Sequence, residues 1–168
     1  MLIGNDWTEI ALRLLVATLV GMALGFDREW RGFDAGLRTH GLVALSSAML
    51  TISSIMMFEE LHEQQGAGDP LRVIQGLAQA IGFIAGGLIF VRGSGVKNMT
   101  TAASVWTSCA AGIAAGAGQY VLLGVATVLA IFLLTLVGFA ERFFPRSAEG
   151  TDKGKGKPVS PKETRGTN

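Results

Sequence analysis

The sequence predicts an all-α polytopic membrane protein with five transmembrane helices, the N-terminus outside and the C-terminus in the cytoplasm. Three observations predict it. The chain of 168 residues is 49% hydrophobic and only 16% charged, and its mean hydropathy is +0.44. Its charges are gathered rather than spread: no Asp, Glu, Lys, Arg or His occurs from Gly41 to Phe58, from Val73 to Val91, or from Asn98 to Ala140. These runs also lack the polar face that a soluble helix needs. The expected organisation is a transmembrane domain over 1–145 and a polar tail over 146–168.

The elements follow in order. A first span at 7–26 carries a single charge, Arg13, from Ile10 to Phe26. Spans at 40–58 and 72–91 match the ~20 apolar residues that cross a hydrocarbon core. The uncharged run from Asn98 to Ala140 would be roughly 65 Å of continuous helix, about twice that core. It must fold back, and "GAGQY" at Gly116–Tyr120 is the natural turn, giving spans at 99–117 and 120–140. The N-terminal residues lack the basic n-region of a cleaved signal. The lone Cys109 has no partner for an intramolecular disulfide.

Orientation follows from the basic residues. Five spans put Arg28, Arg31 and Arg38, then Arg92 and Lys97, then every basic residue of the tail on one side. Only Arg13 and Arg72 fall at the other, beside the acidic "EELHEQQGAGDPLR". The tail from Ser147 has almost nothing apolar to bury and is expected to be disordered. Its Lys and Arg residues either stay solvated or rest on anionic lipid.

Glycine spacing speaks to packing. Gly21 and Gly25, Gly82 and Gly86, and Gly112 and Gly116 are each four apart, the pattern that lets helices approach closely. These grooves could join helices within one chain or across a homo-oligomer. Uncharged polar stripes accompany them: Ser47, Thr51 and Ser54; Gln75 and Gln79; and Thr100, Thr101, Ser104, Thr107 and Ser108. Ser and Thr can bond their own helix backbone, whereas Gln is expected to face protein or water. The stripes read either as interhelical hydrogen bonds or as a solute path. Arg13 follows Glu9 by four residues, the favourable order for a helical ion pair, and reads either as a snorkelling interfacial arginine or as a functional intramembrane charge.

The densest chemistry lies in "GFDREWRGFDAGLRTH", Gly25 to His40. Asp27, Arg31, Asp34 and Arg38 would form one stripe of alternating sign on a helix. Gly32 and Gly36 weaken that helix, so a bent or broken amphipathic segment is expected, with Trp30 and Phe33 in an aromatic belt. A topology signal needs only the arginines. The interleaved acids point to specific pairs, to a charged surface that binds something, or to a solvated loop.

No phosphate-binding glycine loop followed by Lys-Ser/Thr, no His/Cys metal cluster and no nucleophile–base pair stands out. An enzyme, a bound cofactor and a nucleic-acid partner are therefore not expected. The loop acids could serve a magnesium ion, which needs only one or two carboxylates, so a metal site stays open. No acid lies at the centre of any span, which argues against dication passage.

"GFDREWRG…AGLRTHGLVAL" and the run from Asp69 to Tyr120, with its "DPLR", "MTTAASVW" and "AAGIAAGAGQY" blocks, resemble the MgtC/SapB family of bacterial membrane proteins, over about residues 7 to 140. The family usually has Glu where this chain has Asp27, and Phe-Leu-Gly-Ala-Gly where it reads Phe83-Ile84-Ala85-Gly86-Gly87. Larger members carry a soluble C-terminal domain, whereas this chain reads as a short form ending in a polar tail. The resemblance implies a multi-pass protein of the bacterial inner membrane, linked to growth in low magnesium and, in some pathogens, to survival in the host. It implies a regulator or adaptor acting on another membrane protein, with a small magnesium or solute transporter as the alternative. The binding residues expected on that basis are Asp27, Arg28, Glu29, Arg31, Asp34, Arg38 and Thr39, joined by Thr100, Thr101 and Trp106.

Overall fold

The computed structural model describes residues 6–63, 69, 71–92 and 95–143. The chain is helical, with α1 at Trp7–Trp30, α2 at Leu37–Glu63, α3 at Leu71–Leu88, α4 at Met99–Gly116 and α5 at Tyr120–Phe143. Between α3 and α4 lies a small antiparallel hairpin of β1, Phe90–Arg92, and β2, Gly95–Lys97, with Val91 opposite Val96. The tail expected beyond residue 145 lies outside the described residues.

Among the described residues, three helices are long and apolar enough to cross a membrane: Trp7–Trp30, Leu37–Glu60 and Leu71–Leu88. Tyr120–Leu136 is a shorter apolar stretch. Large apolar side chains lie open on the outer helices, with Phe83 86% and Val121 84% exposed. Lipid rather than water suits such surfaces. α4 differs from the others because it is the central helix. One flank of it buries Thr101, Ser104, Val105 and Ser108, and further along it buries Gly112, Ala115 and Gly116.

α1, α2 and α4 pack together, α3 lies against α4, and α5 lies against α4 and α1. The core is built of small residues: Ala17, Ala48, Ala114, Ala115 and Leu123 in one cluster, and Ala35, Ile81, Val105 and Cys109 in another. Small residues let backbones approach, and contact then does the work that hydrophobic burial cannot do in lipid. α2 is the helix approached from both sides. A Cβ on Gly21 of α1 would lie 2.7 Å from the Ala44 Cβ, and one on Gly112 of α4 would lie 2.2 Å from the Ala44 carbonyl oxygen. Gly25 and Gly116 are crowded by α2 in the same way. The third glycine pair does not pack within the chain. A Cβ on Gly82 or Gly86 would meet nothing within 4 Å, because α3 turns Ile81 and Ala85 inward instead.

Two sequence expectations need correction. α1 does not stop at residue 26. It continues for about one more turn through Asp27, Arg28 and Glu29, held by the Asp27–Arg31 pair. The third span does not run to residue 91. It ends at Leu88, after the weak helix formers Gly86 and Gly87, and Phe90 and Val91 enter the hairpin.

The expected break in the first connection is present between α1 and α2. α1 ends in a Schellman cap: Gly32 takes φ +72°, its amide donates to the Glu29 carbonyl, and the Phe33 amide donates to the Arg28 carbonyl. α4 ends the same way in the expected turn. Gly118 also takes φ +72°, its amide donates to Ala115 and the Gln119 amide to Ala114.

Candidate functional site

The charged connection lies where α1 ends and where α2 and α4 begin. Each of its three acids has a local task. Asp27 accepts from Arg31 Nε at 2.8 Å. Glu29 reaches across the break and accepts from the Leu37 amide at 3.0 Å, satisfying one of the orphan donors at the start of α2. Glycine at 36 leaves room for this carboxylate, since a Cβ there would lie 1.8 Å from Glu29 Oε2 and push it off the Leu37 amide. Asp34 accepts from Asn98 Nδ2 at 2.7 Å and so ties the connection to the start of α4. The continuous stripe of alternating charge does not form, because the helix breaks after Arg31.

Arg28 is different. It is only 4% exposed, yet no carboxylate pairs with it among the described residues. Its Nη2 donates to Thr101 Oγ1 of α4, and the Phe33 ring covers one face of the guanidinium, 3.7 Å from Cζ to the ring centroid. Its Nε is buried without a hydrogen-bond partner. Phe33 and Arg28 stand in the Schellman positions that ordinarily bring two apolar side chains together, so here the cap places an aromatic face on a cation.

One turn further along α4, Ser104 meets His40, which is completely buried. His40 Nδ1 lies 2.8 Å from the Gly36 carbonyl and Nε2 lies 3.0 Å from Ser104 Oγ. The carbonyl can only accept, so Nδ1 carries the proton, and the one Ser104 hydroxyl proton is shared between Nε2 and the Thr101 carbonyl, 2.8 Å from the Oγ. Deeper still, Ser47 Oγ donates to the Val43 carbonyl and lies 3.1 Å from Cys109 Sγ. Thr51, Thr107 and Ser108 each return their hydroxyl to their own helix backbone. These stripes serve helix backbones and helix contacts. Gln75 and Gln79 lie exposed on α3.

The expected residues therefore divide. The structure brings Arg28 to Thr101 and Asp34 to the start of α4. Arg38 and Thr100 are exposed, Thr39 is half-buried, and Trp106 is exposed about a turn and a half down α4. The residues not foreseen as part of the site are His40, Ser104 and Asn98. Ser104 could have been found from its i+3 spacing to Thr101, which puts both on one face. His40 and Asn98 carry no such local signal.

The opposite end of the bundle holds the second buried arginine, Arg13. It pairs with Glu9 at 2.7 Å and donates through Nη1 to the Gly116 carbonyl at 2.8 Å, at the end of α4. Tyr120 also donates to Glu9. Arg13 is paired, as its spacing to Glu9 predicts, and it also caps a helix C-terminus, where a cation is favoured.

The comparisons with known proteins now bear on this arrangement. The model of the MgtC family matches residues 14–143. The chain belongs to the MgtC family. Over 127 residues it is 35% identical to YhiD of Escherichia coli strain K12, described as a candidate magnesium transporter, covering 75% of this chain and 59% of that one. It is 37% identical over 136 residues to the MgtC protein of Brucella abortus, covering 81% of this chain and 54% of that protein. It is 38% identical over 144 residues to SrpB of Synechococcus elongatus, covering 80% and 77%. The matched segment thus spans roughly half of several of these MgtC-family relatives. No solved structure matches the chain. The MgtC-family chain is accordingly a helical membrane protein, as its sequence predicts.

Proposed function

We propose that this MgtC-family chain is a five-span protein of the bacterial inner membrane, with its N-terminus outside and its C-terminus in the cytoplasm. In this reading it is a non-enzymatic regulator or adaptor that acts on another membrane protein during adaptation to low magnesium or host stress. The end carrying Arg28 then faces the cytoplasm and is its recognition surface. One observation carries the reading: at that end the acids are spent on the chain's own helices, while Trp30 at 82% exposure, Arg38 and Thr100 remain open to a partner. Exposed aromatic and arginine side chains are the usual anchors of such contacts.

A second reading is transport of magnesium, favoured by the description of YhiD. Against it, the larger cavities are walled by apolar residues. One lies between α2 and α3 beside Leu42, Leu77 and Ile81, with a volume of about 290 Å³, and another lies between α3 and α4 beside Ile74, Trp106 and Ile113, with about 220 Å³. A hydrated dication gains nothing from such walls.

The test has two arms. In liposomes loaded with a magnesium-sensitive dye, the adaptor reading expects no flux from well-folded protein. Flux that disappears in Asp27→Ala would establish the transporter instead. In cells, crosslinking from position 38 or 30 should capture a discrete membrane protein, and Arg38→Glu should abolish the capture. Absence of any such product would remove the adaptor.

A further inference from the structure

We infer that the Arg28 end of the bundle is a binding site for a phosphate-type oxyanion, formed by the Arg28 guanidinium and the first-turn amides of α4. The inference deepens the reading of this end as a recognition surface, and it rests on that reading.

Two independent features converge there. The first is Arg28 itself, nine-tenths and more buried, without a carboxylate partner and with an orphaned Nε. An unpaired buried charge is among the costliest arrangements in a folded chain. None of the nearby acids makes an ion pair with it, since Asp27 bonds Arg31, Glu29 bonds the Leu37 amide and Asp34 bonds Asn98, and only the charge of neighbouring Asp27 acts in its favour. The second is the start of α4. Asn98 occupies the N-cap in the left-handed region, φ 64°, and makes no capping bond with its side chain. That side chain is drawn away to Asp34. No acid stands in the first turn either. The helix therefore presents uncapped amides and the positive end of its dipole.

These two positive features touch. Thr101, which accepts from Arg28, is the third residue of α4. Arg28 stands in the last turn of α1, where a cation is favoured, but it also faces the positive end of α4, and an anion beside the two would neutralise that second contact. Phosphate suits the place because its oxygens can accept from backbone amides and a guanidinium together. Met99 and Thr100 are exposed at that turn, above the buried Arg28 and Thr101, and Lys97, also exposed, adds a cation at the rim. The surrounding Phe26 and Trp30, both exposed, suit the depth of lipid headgroups. The phosphate could thus belong to a phospholipid headgroup or to a soluble phosphate.

The test uses the full chain in maltoside micelles and reads the thermal unfolding midpoint. Inorganic phosphate, at constant ionic strength against chloride and acetate, and phosphatidylglycerol doped into the micelles are the two probes. The expected result is a saturable upward shift with at least one of them. Arg28→Met should weaken that binding about 10- to 100-fold, as loss of a charged hydrogen-bonding partner does. A shift with inorganic phosphate assigns a soluble ligand, and a shift with phosphatidylglycerol alone assigns the headgroup. Should Arg28→Met not fold, the exposed Lys97→Gln must weaken the same binding severalfold. No shift with either probe, an equal shift with acetate, or a shift indifferent to Arg28 and Lys97 would overturn the inference. Phosphate binding needs no protein partner and partner capture needs no phosphate, so either reading can fail alone.

Discussion

The two ends of the bundle bury one arginine each, beside a helix that closes in a Schellman cap, and they use it in opposite ways. At one end Arg13 has a carboxylate from Glu9, a carbonyl from Gly116 and the negative end of α4 to face. Its charge is matched on every side. At the other end Arg28 has the negative end of its own helix α1, a hydroxyl from Thr101 and the face of Phe33, but no carboxylate, and it faces the positive end of α4. The difference teaches that burial of a cation is not by itself a sign of function. What distinguishes a structural arginine from a candidate binding arginine is whether its counter-charge is already in the chain.

The largest expected effect breaks the comparison directly. Arg13→Met should lower the unfolding free energy by roughly 3 kcal/mol, the low end for a broken buried pair because Glu9 stays a third exposed. Arg28→Met should cost about 1 kcal/mol or less in ligand-free protein, since it strands only the Thr101 hydroxyl. Denaturation of both variants in the same detergent checks this, and equal losses would make the two ends alike.

The cap glycines sharpen the comparison. Gly32 and Gly118 share φ +72°, so alanine at either should cost about 1–2 kcal/mol for the left-handed backbone. A Cβ at Gly118 would also lie 2.9 Å from Arg13 Nη2, whereas one at Gly32 meets nothing within 4 Å. Gly118→Ala should therefore be the more damaging by about 1 kcal/mol, measured as the difference between the two unfolding midpoints. Glu29→Ala comes next, with about 1 kcal/mol lost at the start of α2, visible as faster amide exchange at Leu37.

The smallest effect concerns the first turn of α1, at the Arg13 end. Asp6 accepts from the Thr8 hydroxyl and amide, and these bonds hold its carboxyl below the usual carboxylate range. A depressed folded-state pKa contributes stability that is complete above the unfolded value, near 4, and is lost as the pH falls through the lower folded value. Asp6→Asn, still a good cap, should remove that acid dependence from the fraying of α1, followed by amide exchange between about pH 2 and 5.

Much of this molecule was open to reading from its residues. The charge-free runs marked helices, Gly32 and Gly36 marked the break, and "GAGQY" marked the turn before α5. The pairs Glu9–Arg13 and Asp27–Arg31 followed from i,i+4 spacing. All of these depend on residues within a few positions of one another, where helix geometry alone sets the distance. The β hairpin was missed because Phe90 and Val91 continue an apolar run that hydropathy cannot divide between helix and strand.

What only the tertiary structure decided is which partners meet across the bundle. Arg28 reaches Thr101 over 73 residues of chain, Asp34 reaches Asn98 over 64, and Arg13 reaches Gly116 over 103. Composition named the charges of the connection but could not say that the acids are spent on the chain's own helices and amides and that Arg28 is left over. Nor could spacing say that Gly21 and Gly112 close on Ala44 while Gly82 and Gly86 stay open. Local periodicity sets which face of a helix a residue occupies. Only the packing of one helix on another determines what that face meets, and with it whether a buried charge has its counter-charge.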